Sequence, residues 1–132
     1  MKIDIANLLI INERGEVLLQ KKDSTHIWPN VWCFFGGKIE ENETPTEAIE
    51  REILEETGIE IKDYELLEIK DYYESESGRE GETHIFRYNM NSKDIINIRC
   101  GEGAGFAFFE KSEIRNLYLP EWTKIFLEKI LI

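Results

Sequence analysis

Glutamates crowd the stretch from Glu52 to Glu56. Glu52, Glu55 and Glu56 are spaced at i, i+3 and i+4, which places them close together on the surface of a helix. Carboxylate oxygens are the ligands that Mg²⁺ prefers in proteins, and bound Mg²⁺ commonly bridges to substrate phosphates. The spacing therefore fits a metal site for a phosphorylated ligand. A solvated acidic face is the competing interpretation.

A glycine pair, Gly36 and Gly37, precedes these glutamates. Because glycine has no Cβ, its backbone can approach a metal ion or a phosphate closely. We expect the pair to form a turn at the end of a strand in "VWCFFGGKIE". An ordinary glycine turn without a ligand is the alternative.

The helix that must carry the glutamates has well-marked ends. Thr44 is a candidate N-cap, Pro45 suits the first helical position, and Glu47 completes a capping box. Gly58 is the expected C-terminal stop. The sequence therefore predicts a helix over 45–57. Within it, Ile49 and Ile53 share a face that can be buried, and Arg51 can pair with Glu55 four residues later.

The rest of the chain mixes strands and helices without a strict βαβ alternation. We predict strands over 3–12, 17–22, 31–40, 64–75, 82–91, 96–103 and 105–111. An amphipathic helix is predicted over 120–132, with Pro120 in its first turn or just before it. This pattern indicates an α/β fold with a mixed sheet packed by helices. No linker or repeat interrupts it, so we expect a single domain over 1–132.

Composition narrows the classes of function. The net charge of −11 argues against binding a nucleic acid polymer through a basic face. No apolar stretch has the length of a membrane span, and the N-terminal apolar run resembles a strand rather than a signal peptide. Cys33 and Cys100 have no partner at metal-ligand spacing. We therefore expect a cytoplasmic protein with free thiols, no membrane partner and no polymer partner.

The stretch 37–59 resembles the signature of the Nudix hydrolases. That pattern is a glycine, five residues, a glutamate, seven residues, Arg-Glu, an aliphatic residue, any residue, Glu-Glu, any residue, a glycine and an aliphatic residue. Every fixed position is met, by Gly37, Glu43, Arg51, Glu52, Ile53, Glu55, Glu56, Gly58 and Ile59. The length and the stretch "EGAGFAFFEKSEI" are similar to small MutT-type members.

This resemblance implies the Nudix fold, an α/β/α sandwich around a mixed sheet. It also implies Mg²⁺- or Mn²⁺-dependent hydrolysis of a nucleoside diphosphate linked to another group. By position, the metal ligands are the Gly36 carbonyl, Glu52, Glu55 and Glu56, and the pair Glu43 and Arg51 orients them. Glu52 is the first candidate for the general base. Glu102 matches a position where small members carry an extra metal-binding or basic glutamate; a solvent-facing loop residue is its alternative.

Substrate contacts are less well marked. Lys22 ends a strand where a phosphate contact often lies in the family, and four aromatic residues could stack on a base or simply pack: Trp28, Trp32, Phe34 and Tyr72. The family's usual Phe-Pro-Gly-Gly is "FFGG" here. The MutT-type purine-binding asparagine is absent from "LPEWT", where Trp122 stands. The proline that ADP-ribose hydrolases carry some sixteen residues after the signature is also missing, since that region reads "YYESES".

We predict a monomer or homodimer that acts on a small nucleotide. The expected substrate is a nucleoside triphosphate, ordinary or damaged, cleaved to the monophosphate and pyrophosphate. A nucleotide sugar or a dinucleoside polyphosphate is the alternative substrate. A non-catalytic ligand-binding module is a further possibility, but such modules usually lose glutamates of the signature, and this chain has all of them.

Overall fold

The computed structural model describes residues 2–23, 30–75, 77–99 and 105–131. Within these residues, one sheet contains seven strands: β1 Ile5–Ile11, β2 Val17–Lys21, β3 Trp32–Cys33, β4 Phe35–Lys38, β5 Glu65–Glu74, β6 Arg79–Asn89 and β7 Gly105–Phe109. The described helices are α1 Pro45–Thr57, α2 Lys111–Ile114, α3 Glu121–Ile130 and a 3-10 helix at Ser92–Asn97. None of them is long and apolar enough to cross a membrane.

Strand β1 lies at the centre of the sheet, since all of its residues are buried. One of its edges pairs in parallel with β6 along its whole length. Two antiparallel strands share the other edge: β4 pairs with residues 5–8, and β2 with residues 10–11. β3 and β7 pair with β2, while β5 pairs with β6. The sheet is therefore mixed, and the start of β1 lies directly beside β4.

Successive side chains of β1 point into two hydrophobic cores on opposite faces of the sheet, as the two-residue period of a strand requires. Leu8 belongs to the core covered by α1, and Leu9 belongs to the core covered by α2 and α3. Helices thus pack on both faces of a mixed sheet. The predicted α/β/α sandwich is confirmed.

Helix α1 begins and ends where its capping residues predict. The Thr44 hydroxyl accepts a hydrogen bond from the backbone N–H of Glu47 at 3.1 Å, and the Glu47 carboxylate accepts one from the Thr44 N–H at 2.9 Å. Gly58 ends the helix with a φ of 77°, in the left-handed region that favours glycine. The caps fix the length of α1, and its buried residues Ile49 and Ile53 set the face that packs on the sheet.

Other elements differ from the prediction. Gly36 and Gly37 lie within β4 rather than in a turn. The strand predicted over 96–103 is wrong at its start, because Ile96 and Asn97 belong to the 3-10 helix, and Cys100 to Gly103 lie outside the described residues. That helix begins where the Asn91 side chain accepts a hydrogen bond from the Lys93 N–H. Helix α2 was not predicted, and α3 is shorter than 120–132.

Candidate active site

Strand β4 brings its backbone against β1, and glycine at position 36 makes that approach possible. Gly36 pairs with Asn7 and has a φ of 145°. A Cβ at this position would lie 2.1 Å from the carbonyl oxygen of Ala6. Because that distance is far below any van der Waals contact, no other residue fits without moving β1. The first glycine is therefore required by the packing of the two strands.

The second glycine makes room for a carboxylate. A Cβ on Gly37 would lie 2.6 Å from Cδ of Glu52 and 2.7 Å from both of its carboxylate oxygens. The Glu52 carboxylate therefore lies directly over the Gly37 backbone. The glycine pair and the glutamates thus belong to one structural unit, as the spacing predicts.

Glu56 points into the protein rather than to its surface. Glu56 is only 3% exposed to solvent. One carboxylate oxygen accepts a hydrogen bond from the Gly36 N–H at 2.7 Å, and the other accepts one from Nε2 of the buried Gln20 at 2.9 Å. Burial raises the pKa of Glu56 to about 7, although these two hydrogen bonds and the charge of Lys22 oppose the rise. Glu56 ties α1 to β2 and β4.

Arg51 relieves the repulsion among the remaining carboxylates. Its guanidinium donates to both oxygens of Glu43 at 2.6 and 2.9 Å, to Glu52 at 2.9 Å and to Glu55 at 3.4 Å. It also donates to the carbonyl oxygen of Lys38 in β4 at 3.1 Å. The hydrogen bond from Arg51 and a second one from the Glu40 N–H lower the pKa of Glu43 to about 2. The predicted pairing of Arg51 with Glu55 is therefore present, within a larger network.

The three glutamates differ in how far their side chains are exposed. Glu56 is buried, Glu52 lies over Gly37, and Glu55 has a side chain that is 54% exposed. Among the described residues, no three acidic, histidine or cysteine side chains are placed to hold a metal ion together. The hydrogen-bond partners of Glu56 turn its carboxylate inward, and joint binding of a metal ion by the three glutamates stays a prediction. The donors nonetheless fit a hard divalent cation chemically, since they are carboxylates beside a backbone that carries no Cβ.

A cleft of about 160 Å³ opens beside the glycine pair. Lys22, Phe34 and Tyr72, which the sequence nominates for substrate contact, line it together with Gly36 and Gly37. The structure thus brings these three residues to the same place. Phe34 and Tyr72 are largely buried, however, and their rings pack at 6.1 and 5.9 Å from the ring of Trp122. They form the wall of the cleft rather than freely exposed stacking surfaces.

Arg79 and Trp122 are among the residues of this cleft that the sequence did not nominate. Arg79, at the start of β6, and Trp122, in the first turn of α3, both line it. Trp122 stands near the family's purine-binding position, which was a usable signal, whereas nothing in the sequence around Arg79 distinguishes it from a solvated hairpin residue. Conversely, Trp32 packs edge-on against Phe109 at 4.8 Å and does not line the cleft. Trp28 and Glu102 lie outside the described residues.

Comparison with known proteins identifies the family of this chain. A family model described as the NUDIX domain matches residues 1–130. The chain belongs to the NUDIX family. This NUDIX domain superposes on the crystal structure of a MutT protein from Methanosarcina mazei Go1 with a TM-score of 0.82, covering 97% of this chain and 91% of that one at 22% identity. At that identity, the likeness shows the fold alone.

Two curated relatives resemble part of the NUDIX domain. It is 38% identical over 71 residues to an 8-oxo-dGTP diphosphatase of Escherichia coli (strain K12), a match that covers 54% of this chain and 55% of that protein. It is 35% identical over 60 residues to an RNA pyrophosphohydrolase of Hydrogenovibrio crunogenus, covering 46% of this chain and 34% of that protein. The match therefore spans about half of the first relative and a third of the second.

Proposed function

We propose that this NUDIX domain hydrolyses a nucleoside triphosphate to the monophosphate and pyrophosphate, with Mg²⁺ or Mn²⁺. The observation that carries the proposal is that the acidic network and the cleft both adjoin Gly36 and Gly37. Glu52 lies over Gly37, and the same Gly36–Gly37 backbone lines the cleft that contains Lys22. A phosphate chain at the glycines would thus lie between the acidic network and a cleft for the rest of the substrate.

The size of the cleft favours one base over a larger group. Its volume of about 160 Å³ is smaller than the ~300–1,000 Å³ typical of sites that enclose a whole drug-sized ligand. A base would lie in the cleft that Trp122 and the hairpin of β5 and β6 line, while the phosphates would remain near the glycines. A nucleotide sugar or a second nucleoside would have to extend outside this cleft. For that reason the triphosphate is the preferred substrate.

Residues of the Nudix signature and its neighbours would hold the divalent metal ion. Glu52, Glu55, Glu56 and the Gly36 carbonyl are the proposed ligands, and Glu102 is a further one. A bound divalent ion would neutralise the diphosphate and favour attack by water on phosphorus. Among the described proposed ligands, Glu55 has the most exposed side chain, at 54%, while Glu52, over the glycines, is 16% exposed.

The chain's own side chains would direct the proton and the phosphates. As the water oxygen bonds to phosphorus and the bond to the leaving phosphate breaks, Glu52 would accept the proton that the water loses. The hydrogen bond from Arg51 to Oε1 of Glu52 fixes the orientation of this carboxylate. Glu43 holds the Arg51 guanidinium in turn. Lys22 would contact a phosphate at the mouth of the cleft.

An activity on the 5′ end of RNA is a second candidate, because a relative named RNA pyrophosphohydrolase matches the chain. The chemistry at the phosphates would be the same. The net charge of −11 disfavours it, because a protein that follows a polymer needs basic side chains along the phosphates. We therefore place free triphosphates first.

A substrate panel tests the proposal. Ordinary triphosphates, 8-oxo-dGTP, a nucleotide sugar, a dinucleoside polyphosphate and triphosphorylated RNA are compared at equal concentration, with Mg²⁺ or with EDTA. We expect the highest kcat/KM for a free triphosphate, and no turnover in EDTA. Glu52→Gln tests the proposed base, and the exposed Glu60→Gln is its matched control. A nucleotide sugar, a dinucleotide or the RNA with kcat/KM at least tenfold above every free triphosphate, a difference of ~1.4 kcal/mol, would overturn the choice of substrate.

A further inference from the structure

One polar side chain of the central strand lines the cleft. Asn7 stands in the middle of β1, whose other six residues are all apolar. It borders the cleft together with Gly36 and Gly37 and is 8% exposed. Burial of an amide costs free energy unless its polar atoms are hydrogen-bonded. The partners of this amide therefore indicate what it is for.

The Asn7 amide uses its donor inside the protein and leaves its acceptor open. Its Nδ2 donates to Oγ1 of the fully buried Thr83 in β6 at 3.0 Å. Among the described residues, no donor bonds to Oδ1 of Asn7, and Oδ1 is not one of the fully covered polar atoms that lack a partner. It therefore keeps accessible surface, and the cleft is the open space that Asn7 borders.

This acceptor lies next to the glycine pair. A Cβ on Gly36 would lie 2.8 Å from Oδ1 of Asn7, so the oxygen is close to the backbone where the phosphates are proposed to bind. In a nucleotide, the sugar is the part that joins the phosphates to the base. With the phosphates at the glycines and the base further along the cleft, the sugar lies nearest to Asn7.

The chemistry of Oδ1 fits a sugar hydroxyl. An amide oxygen only accepts hydrogen bonds. Oxygens of a fully ionised phosphate and carbonyl oxygens of a base also only accept, so neither of them satisfies it. The 2′- and 3′-hydroxyls of the sugar can donate, and they stand close to the phosphates.

We propose that Asn7 binds a sugar hydroxyl of the nucleotide and thereby makes this NUDIX domain select its substrates by their sugar. The hydrogen bond to Thr83 keeps the amide turned so that its oxygen faces the substrate. This inference rests on the proposed function, because it places the phosphates at the glycine pair.

Nucleotides that lack sugar hydroxyls test the inference. For the best-cleaved ribonucleoside triphosphate, we expect kcat/KM to exceed that for its 2′,3′-dideoxy form about tenfold or more, because a site that hydrogen-bonds a hydroxyl rejects an analogue without it. The 2′-deoxy and 3′-deoxy forms show which hydroxyl is bound, since at least one of them should lose a similar factor. Asn7→Leu should bring the ratio close to one through the loss of activity on the ribonucleotide.

Matched variants separate recognition from packing. Thr83→Val leaves Asn7 in place but removes the hydroxyl that holds its amide, and it should also lower the ratio. Asn116→Leu makes the same change as Asn7→Leu at an exposed position outside the cleft, and it should leave the ratio as it is. A wild-type ratio near one, or a ratio that Asn7→Leu does not change, would overturn the inference.

A binding measurement keeps this inference separate from the proposed function. Calorimetry compares the tightest-binding of the four common ribonucleoside monophosphates with its 2′,3′-dideoxy form, which requires no turnover. Tighter binding of the ribonucleotide by about tenfold, lost in Asn7→Leu, supports the inference even if no triphosphate is hydrolysed, an outcome that would reject the proposed function alone. Equal affinities, or no binding of any monophosphate, overturn the inference.

Discussion

Arg51 binds both carboxylate oxygens of Glu43, through Nε at 2.6 Å and through a terminal nitrogen at 2.9 Å. Glu43 precedes α1 and Arg51 lies in its second turn, so the pair fastens the loop to the helix. The same guanidinium then reaches Glu52 and Glu55. Glu43 therefore sets the position of the Arg51 guanidinium, which orients the carboxylates of Glu52 and Glu55.

Glu43→Gln should lower turnover and the affinity for Mg²⁺ without unfolding the protein. The amide keeps the size of the side chain but can no longer accept both hydrogen bonds from Arg51. Changes to groups that orient metal ligands typically lower activity or metal affinity by about 10–100-fold, and we expect a loss in that range. Kinetic assays with a titration of Mg²⁺ measure it. Glu41→Gln, an exposed change in the same loop, is the control, and equal activity of the two variants would contradict the role of Glu43.

Glu56→Gln should lower both turnover and stability. We expect a loss of turnover of at least ~100-fold, the scale of removing one preorganised electrostatic group. Because both oxygens of Glu56 accept hydrogen bonds, the amide leaves one buried donor unsatisfied, which costs roughly 1–3 kcal/mol in the free energy of unfolding. Urea denaturation measures this. Glu55→Gln removes the same charge from an exposed position and should change stability by less than ~0.5 kcal/mol. Equal stability of the two variants would argue against the buried role of Glu56.

Divalent cations should raise the melting temperature. Arg51 compensates only part of the charge of Glu43, Glu52 and Glu55, and a ligand that binds the native state alone stabilises it. At low salt and millimolar Mg²⁺ we expect an increase of a few degrees, reversed by EDTA, with Mn²⁺ at least as effective. Glu52→Gln should reduce the increase, whereas Glu60→Gln should not. The absence of a shift with either ion would count against the metal site.

Glu13 should contribute stability that is lost in acid. Its carboxylate accepts hydrogen bonds from the Ser92 hydroxyl at 2.6 Å and the Ser92 N–H at 2.7 Å, and these lower the pKa of Glu13 to about 2. A folded pKa below the ordinary value of 4.5 means that the contribution is complete above that value and fades as the pH falls towards 2. Glu13→Gln should therefore lower the urea midpoint at pH 7 more than at pH 3.5. An equal effect at both pH values would contradict this assignment.

The sequence predicts α1 well because its ends carry strong local signals. Thr44, Glu47 and Gly58 make the capping contacts that their types require. The apolar run at Ile95–Ile98 is too short to distinguish a strand from a helix by its pattern. There the side chain of Asn91 begins a 3-10 helix instead. The polar side chain of Asn91 thus begins a helix where the apolar pattern predicts a strand.

The inward orientation of Glu56 depends on residues far away in the chain. Its partners are Gln20 in β2 and the backbone of Gly36 in β4, and no spacing within α1 reveals them. The helical period did contain a signal, however. Glu56 lies three residues after Ile53 and seven after Ile49, which places it on the buried stripe of α1. Arg79 had no such signal, because its place in the cleft depends on how the hairpin of β5 and β6 meets α3.

Product analysis tests the central claim most directly. The best-cleaved triphosphate is incubated with millimolar Mg²⁺, and the products are separated and quantified by chromatography. The account predicts monophosphate and pyrophosphate in equal amounts, no products in EDTA, and a rate at least ~100-fold lower for Glu52→Gln but not for Glu60→Gln. Release of diphosphate and orthophosphate, or hydrolysis that continues unchanged in EDTA or in Glu52→Gln, would contradict it.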